Sequence, residues 1–378
     1  MAEITPIPLA ELTTLRTGAA PERMLDATTT DELVDALRET WSRHEEWFVL
    51  GGGSNLFVGD ESFDGTVIRV LTTGIERLDS PHAGRVRLKV QAGHNWDALV
   101  AYTVDNGFAG IEAMSGIPGT VGAAPVQNVG AYGQEIQETL VEVDLIDEST
   151  GEVSTVPASE LELGFRTSVL KHHYGGAPIR RAVILSVTLD LAEVGDAGRA
   201  IGGDQLRRAL GITGDETVPL AEVRERILAI RAAKGMLLNP GDPDTSSAGS
   251  FFQNLIVPEA VAAQLPSECP RWAVQPDLDA ATVIPLESYD GYLPPTPTVR
   301  PEVKVSAAWL IENSGITKGF HLPRSRAGIS TKHALALTNR GQATGAELAE
   351  LARYIQARVH AEFGLLLQPE PVLVGVEL

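Results

Sequence analysis

The sequence predicts an α+β protein organised in two or three domains, and three observations carry that reading. Short strand and helix patterns alternate through the first half of the chain. The strongest helical pattern lies near the C-terminus with one strand after it. The length, 378 residues, exceeds what a single ordinary hydrophobic core organises.

In chain order, "WFVLGGGSN" (47–55) reads as an apolar strand running into a glycine turn, and "VRLKVQAG" (86–93) alternates so that Val86, Leu88 and Val90 share one face. "NWDALVAYTVDNG" (95–107) follows as a helix with Trp96, Leu99, Val100 and Val104 on one side and Asn106 and Gly107 as its stop. "TGAELAELARYIQARVHAEFG" (344–364) combines capping-box spacing at Thr344 and Glu347, apolar residues every three or four positions, and Gly364 where a C-cap belongs. "PVLVGVEL" closes the chain as a strand. Between these, "LAEVGDAGRAIGGD" (191–204) and "MLLNPGDPDTSSAG" (236–249) read as loops. "YDGYLPPTPTVRPEV" (289–303), with four prolines, is excluded from regular structure. Punctuation near 75 and near 235 suggests domain boundaries.

An apolar fraction of 43% belongs to a globular chain. A formal charge of -20 argues against a large nucleic-acid or anionic-membrane surface, since those are bound through clustered Lys and Arg. It leaves room for small anions held in a local pocket. The N-terminus lacks a leader pattern and no stretch reaches the ~18 apolar residues of a membrane helix, so a cytoplasmic protein is expected. A single cysteine, Cys269, permits neither a disulfide nor a cysteine-ligated metal site within one chain, and no metal ligands are singled out. Only six residues are lysine, and Lys171, Lys234 and Lys318 lie within or beside the motifs below.

"LGGGSNL" (50–56) lacks the spacing of a dinucleotide fold, yet successive N–H groups in a glycine turn can cradle phosphate oxygens without basic side chains. "SGIPGTVGAAPVQNVGAYGQE" (115–135) adds five glycines, and the two loops together describe a main-chain groove for a flat, phosphorylated cofactor. "SSAGSFFQN" (246–254) sets the Ser250 hydroxyl between a glycine and two phenylalanines. That is either a buried strand with a structural serine or a reactive hydroxyl in a site kept dry by Phe251 and Phe252.

These three segments, together with "FRTSVLK", "AAWLIENSGITKG" and "QPEPVLVG", occur in the order and spacing of the UDP-N-acetylenolpyruvoylglucosamine reductases, which the chain resembles from about residue 12 to 375. These are flavoenzymes of bacterial cell-wall precursor synthesis. The resemblance implies a two-part FAD-binding domain of the vanillyl-alcohol-oxidase type (1–75 and 76–235) and a smaller α+β substrate-binding domain (236–363), with 364–378 returning to the first part. Non-covalent FAD is expected around Gly51, Gly52, Gly53, Ser54, Asn55 and Leu56 of the first loop. From the second loop, Ser115, Gly116, Ile117, Pro118, Gly119, Gly122, Ala123, Gln127, Asn128, Gly130, Ala131 and Tyr132 are expected beside it. The partners implied are NADPH and UDP-N-acetylglucosamine enolpyruvate, and a monomer is expected.

The implied catalytic positions are Arg166, Ser250 and Glu370, and the implied substrate contacts are Lys234, Asn254 and Arg231. In the family's reaction a hydride passes from NADPH through FAD to the terminal carbon of an enolpyruvyl ether, and a proton then reaches the adjacent carbon. Negative charge accumulates on the substrate carboxylate meanwhile, and a planar guanidinium such as that of Arg166 suits it. Glu370 would repel that charge if ionised and helps only while holding a proton, which burial among apolar neighbours and beside an anionic ligand favours. Ser250 is the implied proton donor. Three departures stand out: Gly203 occupies the place of a substrate-covering tyrosine, Phe165 that of a tyrosine beside the arginine, and Asn313 that of a glutamine. A flavin-dependent alcohol or sugar oxidase of the same fold, or a non-catalytic flavin or nucleotide-sugar-binding protein, are the alternative readings.

Overall fold

The computed structural model describes residues 2–171, 179–213, 216–274 and 301–378. A four-stranded sheet opens the chain, in the order Ala2–Ile4, Arg23–Ala27, Thr66–Val70, Trp47–Leu50, and its last three strands run parallel. Parallel neighbours need a crossover, and the helix Thr30–Ser42 supplies one. Its start is set by a capping box between Thr29 and Glu32, and it lays Leu33, Val34 and Leu37 on the sheet.

The second sheet is antiparallel: Val153–Pro157, Leu140–Asp147, Ala182–Glu193, Arg85–Gln91 and Ile75–Asp79, with the pair Phe108–Ala109 added to the end of its long central strand. Arg85–Gln91 alternates buried and half-buried residues as its sequence predicts, and the buried face meets the helix Trp96–Asp105. A second helix, Leu220–Ala233, was not foreseen. Only Leu220, Val223, Ile227 and Arg231 form its buried stripe, too sparse for a clear periodic signal.

The third region combines a three-stranded antiparallel sheet (Leu255–Pro258, Glu302–Val305, Arg271–Ala273), a hairpin (Ala327–Ile329 with Leu337–Asn339) and the helix Gly345–Phe363. That helix begins and ends where its capping pattern predicts, with Gly364 left-handed at φ 68°. Residues 289–300 of the proline-rich segment lie outside the described residues. Its end corrects the expectation of wholly irregular structure, because Glu302 and Val303 enter a strand as soon as the last proline, which cannot donate to a ladder, has passed. The loop 191–204 likewise holds a short pairing, Arg199–Ala200 with Thr217–Val218. The final strand shrinks to Val372–Val374 and pairs in parallel with Leu56–Val58. Leu15 and Phe57, from the start of the chain, are buried in the same core as the C-terminal helix.

Candidate active site

The two glycine loops touch. A Cβ on Gly52 would lie 2.7 Å from the Gly119 Cα, so this crossing of main chain on main chain requires glycine. Ser54 Oγ donates to the Pro118 carbonyl at 3.1 Å, and Asn55 Nδ2 donates to Gln127 Oε1 at 2.8 Å. Among the described residues, the N–H groups of Gly52, Gly53, Ser54, Asn55, Gly119 and Thr120 have no acceptor. Unspent donors on two abutting loops fit the diphosphate of the expected FAD, without any lysine or arginine. Some expected cofactor contacts have side chains already engaged. Ser115 is fully buried and donates to the Glu112 carbonyl. Asn128 is buried too, donating to Glu135 and the Gly164 carbonyl while accepting from the Gln137 N–H. These two offer the site their backbone only. The Gly116 N–H is also committed, donating to Asp97, whose carboxylate is held below its ordinary range by Arg224 and that N–H against the opposing effect of burial.

Arg166, Ser250 and Glu370 come together from three distant segments. Arg166 adopts a left-handed backbone (φ 57°), as do the nearby non-glycine residues Asn128 (φ 45°) and Tyr132 (φ 55°). Its guanidinium donates to the carbonyls of Gly130 at 2.9 Å and Asn128 at 3.3 Å, and its Nε lies 3.2 Å from Glu370 Oε1. The Glu370 N–H donates to the Phe251 carbonyl at 2.9 Å, the Gln253 N–H donates to the Gln368 carbonyl, and Phe252 bridges Pro369. Glu370 is thereby set beside the Ser250 segment. The Ser250 hydroxyl is half-buried and makes no hydrogen bond among the described residues. Two expectations are corrected. The Glu370 carboxyl faces a guanidinium rather than apolar neighbours. Phe251 and Phe252 are fully buried core residues, packed edge-on to one another with Phe251 against Phe57, because an apolar core recovers more from two aromatic rings than a wet cleft does. They anchor the Ser250 segment, which is irregular and not a strand, more than they wall the site.

The helix Leu220–Ala233 and its C-cap deliver Arg231 and Lys234, and Asn254 precedes the strand Leu255–Pro258. Arg231 is buried, donates to the Met236 carbonyl at 3.4 Å, and has its pKa pulled down by burial, opposed by Tyr132 and Asp97. Lys234 is exposed at the helix end, its Nζ 5.9 Å from the Tyr132 ring centre. Asn254 spends its amide oxygen on the Ala307 N–H at 3.0 Å, leaving its NH2 to donate elsewhere. Gly203 caps the helix Asp204–Leu210 at φ 76°, ψ 130°, a conformation side-chain-bearing residues rarely adopt. A tyrosine there would require the loop to be rebuilt. Phe165 stands between two cations, with Lys304 Nζ 4.4 Å and Arg166 Cζ 5.5 Å from its ring centre.

Sequence reasoning missed three groups. Lys171 was noted only as part of a motif; it donates to Gln127 Oε1 at 2.7 Å and to the Glu370 carbonyl at 2.6 Å. Asp97 looks like any acidic residue in a first helical turn. His333, in the hairpin beside the Ser250 segment, has a buried Nδ1 without a partner, and burial with the neighbouring Lys234, Lys318 and Arg231 pushes its pKa down to about 4. Of the three, only Lys171 carried a signal in the sequence, its place in "FRTSVLK".

Comparison with known proteins agrees with this geometry. Residues 21–156 match the FAD binding domain, and residues 242–374 match the C-terminal domain of UDP-N-acetylenolpyruvoylglucosamine reductase. The chain is 51% identical to the UDP-N-acetylenolpyruvoylglucosamine reductase of Leifsonia xyli subsp. xyli, over 99% of both chains. It is 47% identical to that of Saccharopolyspora erythraea, over 98% of this chain and 95% of the relative. A crystal structure of the enzyme from Thermus caldophilus superposes with a TM-score of 0.61 at 24% identity, covering 99% of each chain, which is a likeness of fold. Among the described residues, no helix is long and apolar enough to cross a membrane.

Proposed function

The chain belongs to the UDP-N-acetylenolpyruvoylglucosamine reductase family, and from that premise we propose that it reduces UDP-N-acetylglucosamine enolpyruvate to UDP-N-acetylmuramate with NADPH, using Arg166, Ser250 and Glu370. The reaction adds a hydride to the terminal carbon of the enolpyruvyl ether and a proton to the adjacent carbon, and NADPH leaves as NADP+. Bound FAD supplies the hydride relay between the two. The product is a precursor of peptidoglycan, and the protein acts in the cytoplasm as a monomer. Residues 1–75 and 76–235 make up the FAD domain and 236–363 covers the substrate.

The observation that carries this reading is the meeting of the Arg166 guanidinium, the Glu370 carboxyl and the unbonded Ser250 hydroxyl at one place. Arg166 meets the substrate carboxylate, whose charge grows as the hydride arrives, in competition with Glu370. Glu370 occupies that guanidinium until the carboxylate arrives and stands beside the reacting end of the substrate thereafter. Ser250 gives its proton to the substrate carbon. Arg231, Lys234 and the Asn254 NH2 hold the nucleotide end, while the donors of Gly52–Asn55 and Gly119–Thr120 hold the FAD diphosphate.

Protein purified without added cofactor should be yellow and release flavin on denaturation, and in the absence of oxygen it should consume NADPH beyond the one equivalent that reduces its flavin only when the enolpyruvyl substrate is added. General acid catalysis contributes roughly 10²- to 10⁴-fold. Ser250→Ala should therefore reduce its flavin with NADPH at a near-normal rate, yet reoxidise with substrate at least about a hundredfold more slowly in stopped-flow absorbance. Equal slowing of both half-reactions would give Ser250 a role in pocket shape alone, and normal reoxidation would remove it from the chemistry.

A further inference from the structure

Among the described residues, Lys171 hydrogen-bonds only to neutral acceptors. Its Nζ donates to Gln127 Oε1 at 2.7 Å and to the Glu370 carbonyl at 2.6 Å, and among the described residues no carboxylate lies within ion-pair distance of it. Gln127 Oε1 simultaneously accepts from Asn55 of the first glycine loop, and the Asn55 carbonyl accepts from the Val372 N–H, two residues beyond Glu370. A closed circuit results: Asn55, Gln127, Lys171, Glu370 and back through Val372. The base of the lysine is fixed as well. Ser168 and Lys171 exchange backbone hydrogen bonds, Thr167 Oγ1 donates to the Lys171 carbonyl, and Ser168 Oγ donates to the Val126 carbonyl beside Gln127.

Burying an ammonium against neutral acceptors costs free energy, and burying an uncharged side chain of similar length would not. Here burial draws the Lys171 pKa down to about 8, the Glu370 carboxylate opposing the shift and Arg166 adding to it. An arrangement so unfavourable to its own charge is typical of functional sites. Its geometry says what the charge does: among the described residues, it is the only side chain bonded both to the second glycine loop and to the main chain of Glu370. We infer that Lys171 is a positioning residue for the second half-reaction, its ammonium holding the Glu370 main chain in register with the flavin-side loops so that the Glu370 carboxyl meets the substrate.

The inference rests on the reading of Glu370 above, and the experiment separates the two. Stopped-flow reoxidation of the reduced holoenzyme by the enolpyruvyl substrate is compared for wild type, Lys171→Met, Glu370→Gln and the double variant. Misplacement of a catalytic group by about 1 Å costs up to roughly a hundredfold. Lys171→Met should slow reoxidation about 10- to 100-fold, slow flavin reduction by NADPH less than about threefold, and add little in the Glu370→Gln background, as coupled residues do. Additive losses in the double variant, or equal slowing of both half-reactions, would overturn the inference. Normal reoxidation in Glu370→Gln would overturn both readings, and a slow Glu370→Gln with a normal Lys171→Met would overturn this one alone.

The unmodified enzyme provides a second measurement if Lys171→Met fails to fold. The ammonium facing Glu370 and Arg166 loses its proton near pH 8, and charge-assisted bonds are roughly twice as strong as neutral ones. The reoxidation rate should fall as pH rises through about 8, and Lys171→Arg should keep a flat alkaline profile at a lower plateau. An alkaline fall that survives unchanged in Lys171→Arg would overturn the inference.

Discussion

Ser250 and Glu370 ride on backbone anchored by apolar burial, whereas Arg166 and Lys171, facing them, ride on a loop anchored by polar contacts. On the first side, Phe251 and Phe252 are sunk in a core that also holds Phe57 and the C-terminal helix, and their segment is tied by main-chain bonds to Leu335 and Glu370. On the second, a left-handed arginine reaches two carbonyls and a buried lysine reaches an amide and a carbonyl. Apolar burial positions the hydroxyl donor without adding charge to its surroundings. Polar anchoring brings two cations to Glu370 and makes that side sensitive to protonation. The two anchors therefore fail differently.

The largest effect should come from the apolar side. Phe251→Ala deletes a fully buried ring and should lower the unfolding free energy by about 3–5 kcal/mol in denaturant titration. A loss below about 1 kcal/mol would mean that the polar ties alone hold the Ser250 segment, and the comparison would collapse. A smaller effect, seen in rate rather than stability, is expected across the site. Arg166→Lys keeps the charge and loses the planar fork, so reoxidation by substrate should slow about 10- to 100-fold while the unfolding free energy changes by less than about 1 kcal/mol. A destabilisation as large as that of Phe251→Ala would make the loop an anchor of the fold.

The smallest effect comes from a buried imidazole on the apolar side. His333 lies in the hairpin whose Leu335 carbonyl accepts from Phe251, with Lys234, Lys318 and Arg231 as its charged neighbours. Its pKa falls from 6.5 to about 4 on folding, so between those values the unfolded chain binds a proton that the native protein refuses. Stability is lost as pH drops from 6.5 towards 4, by about 2 kcal/mol after allowance for partial exposure. His333→Gln should flatten that part of the stability–pH curve. A curve identical to wild type would show that carboxylates alone govern the acid limb.

Much of the molecule was legible in the chain because the forces involved act over a few residues. The capping box at Thr344 and Glu347 set the start of the long helix to the residue. The alternation of Val86, Leu88 and Val90 marked the buried face of a central strand. The crossover helix Thr30–Ser42 was equally well capped but was overlooked, and the sparse stripe of Leu220–Ala233 offered little to read. Phe251 and Phe252 illustrate a different limit. Two adjacent aromatics beside a reactive hydroxyl read the same whether they wall a pocket or fill a core, since both uses require an apolar ring next to a serine.

The sequence by itself determined the long C-terminal helix, the alternating central strand, the glycine loops and the identity of the arginine, serine and glutamate that carry the family's motifs, because propensity, capping and motif spacing are local properties of a chain. Only the tertiary structure decided that Gly52 and Gly119 cross, that Glu370 answers Arg166, and that Lys171 grips a carbonyl 199 positions away. No rule of local spacing relates such residues. Their meeting depends on how three sheets close around separate cores and on the parallel pairing of Val372–Val374 with Leu56–Val58, which brings the end of the chain back to its beginning.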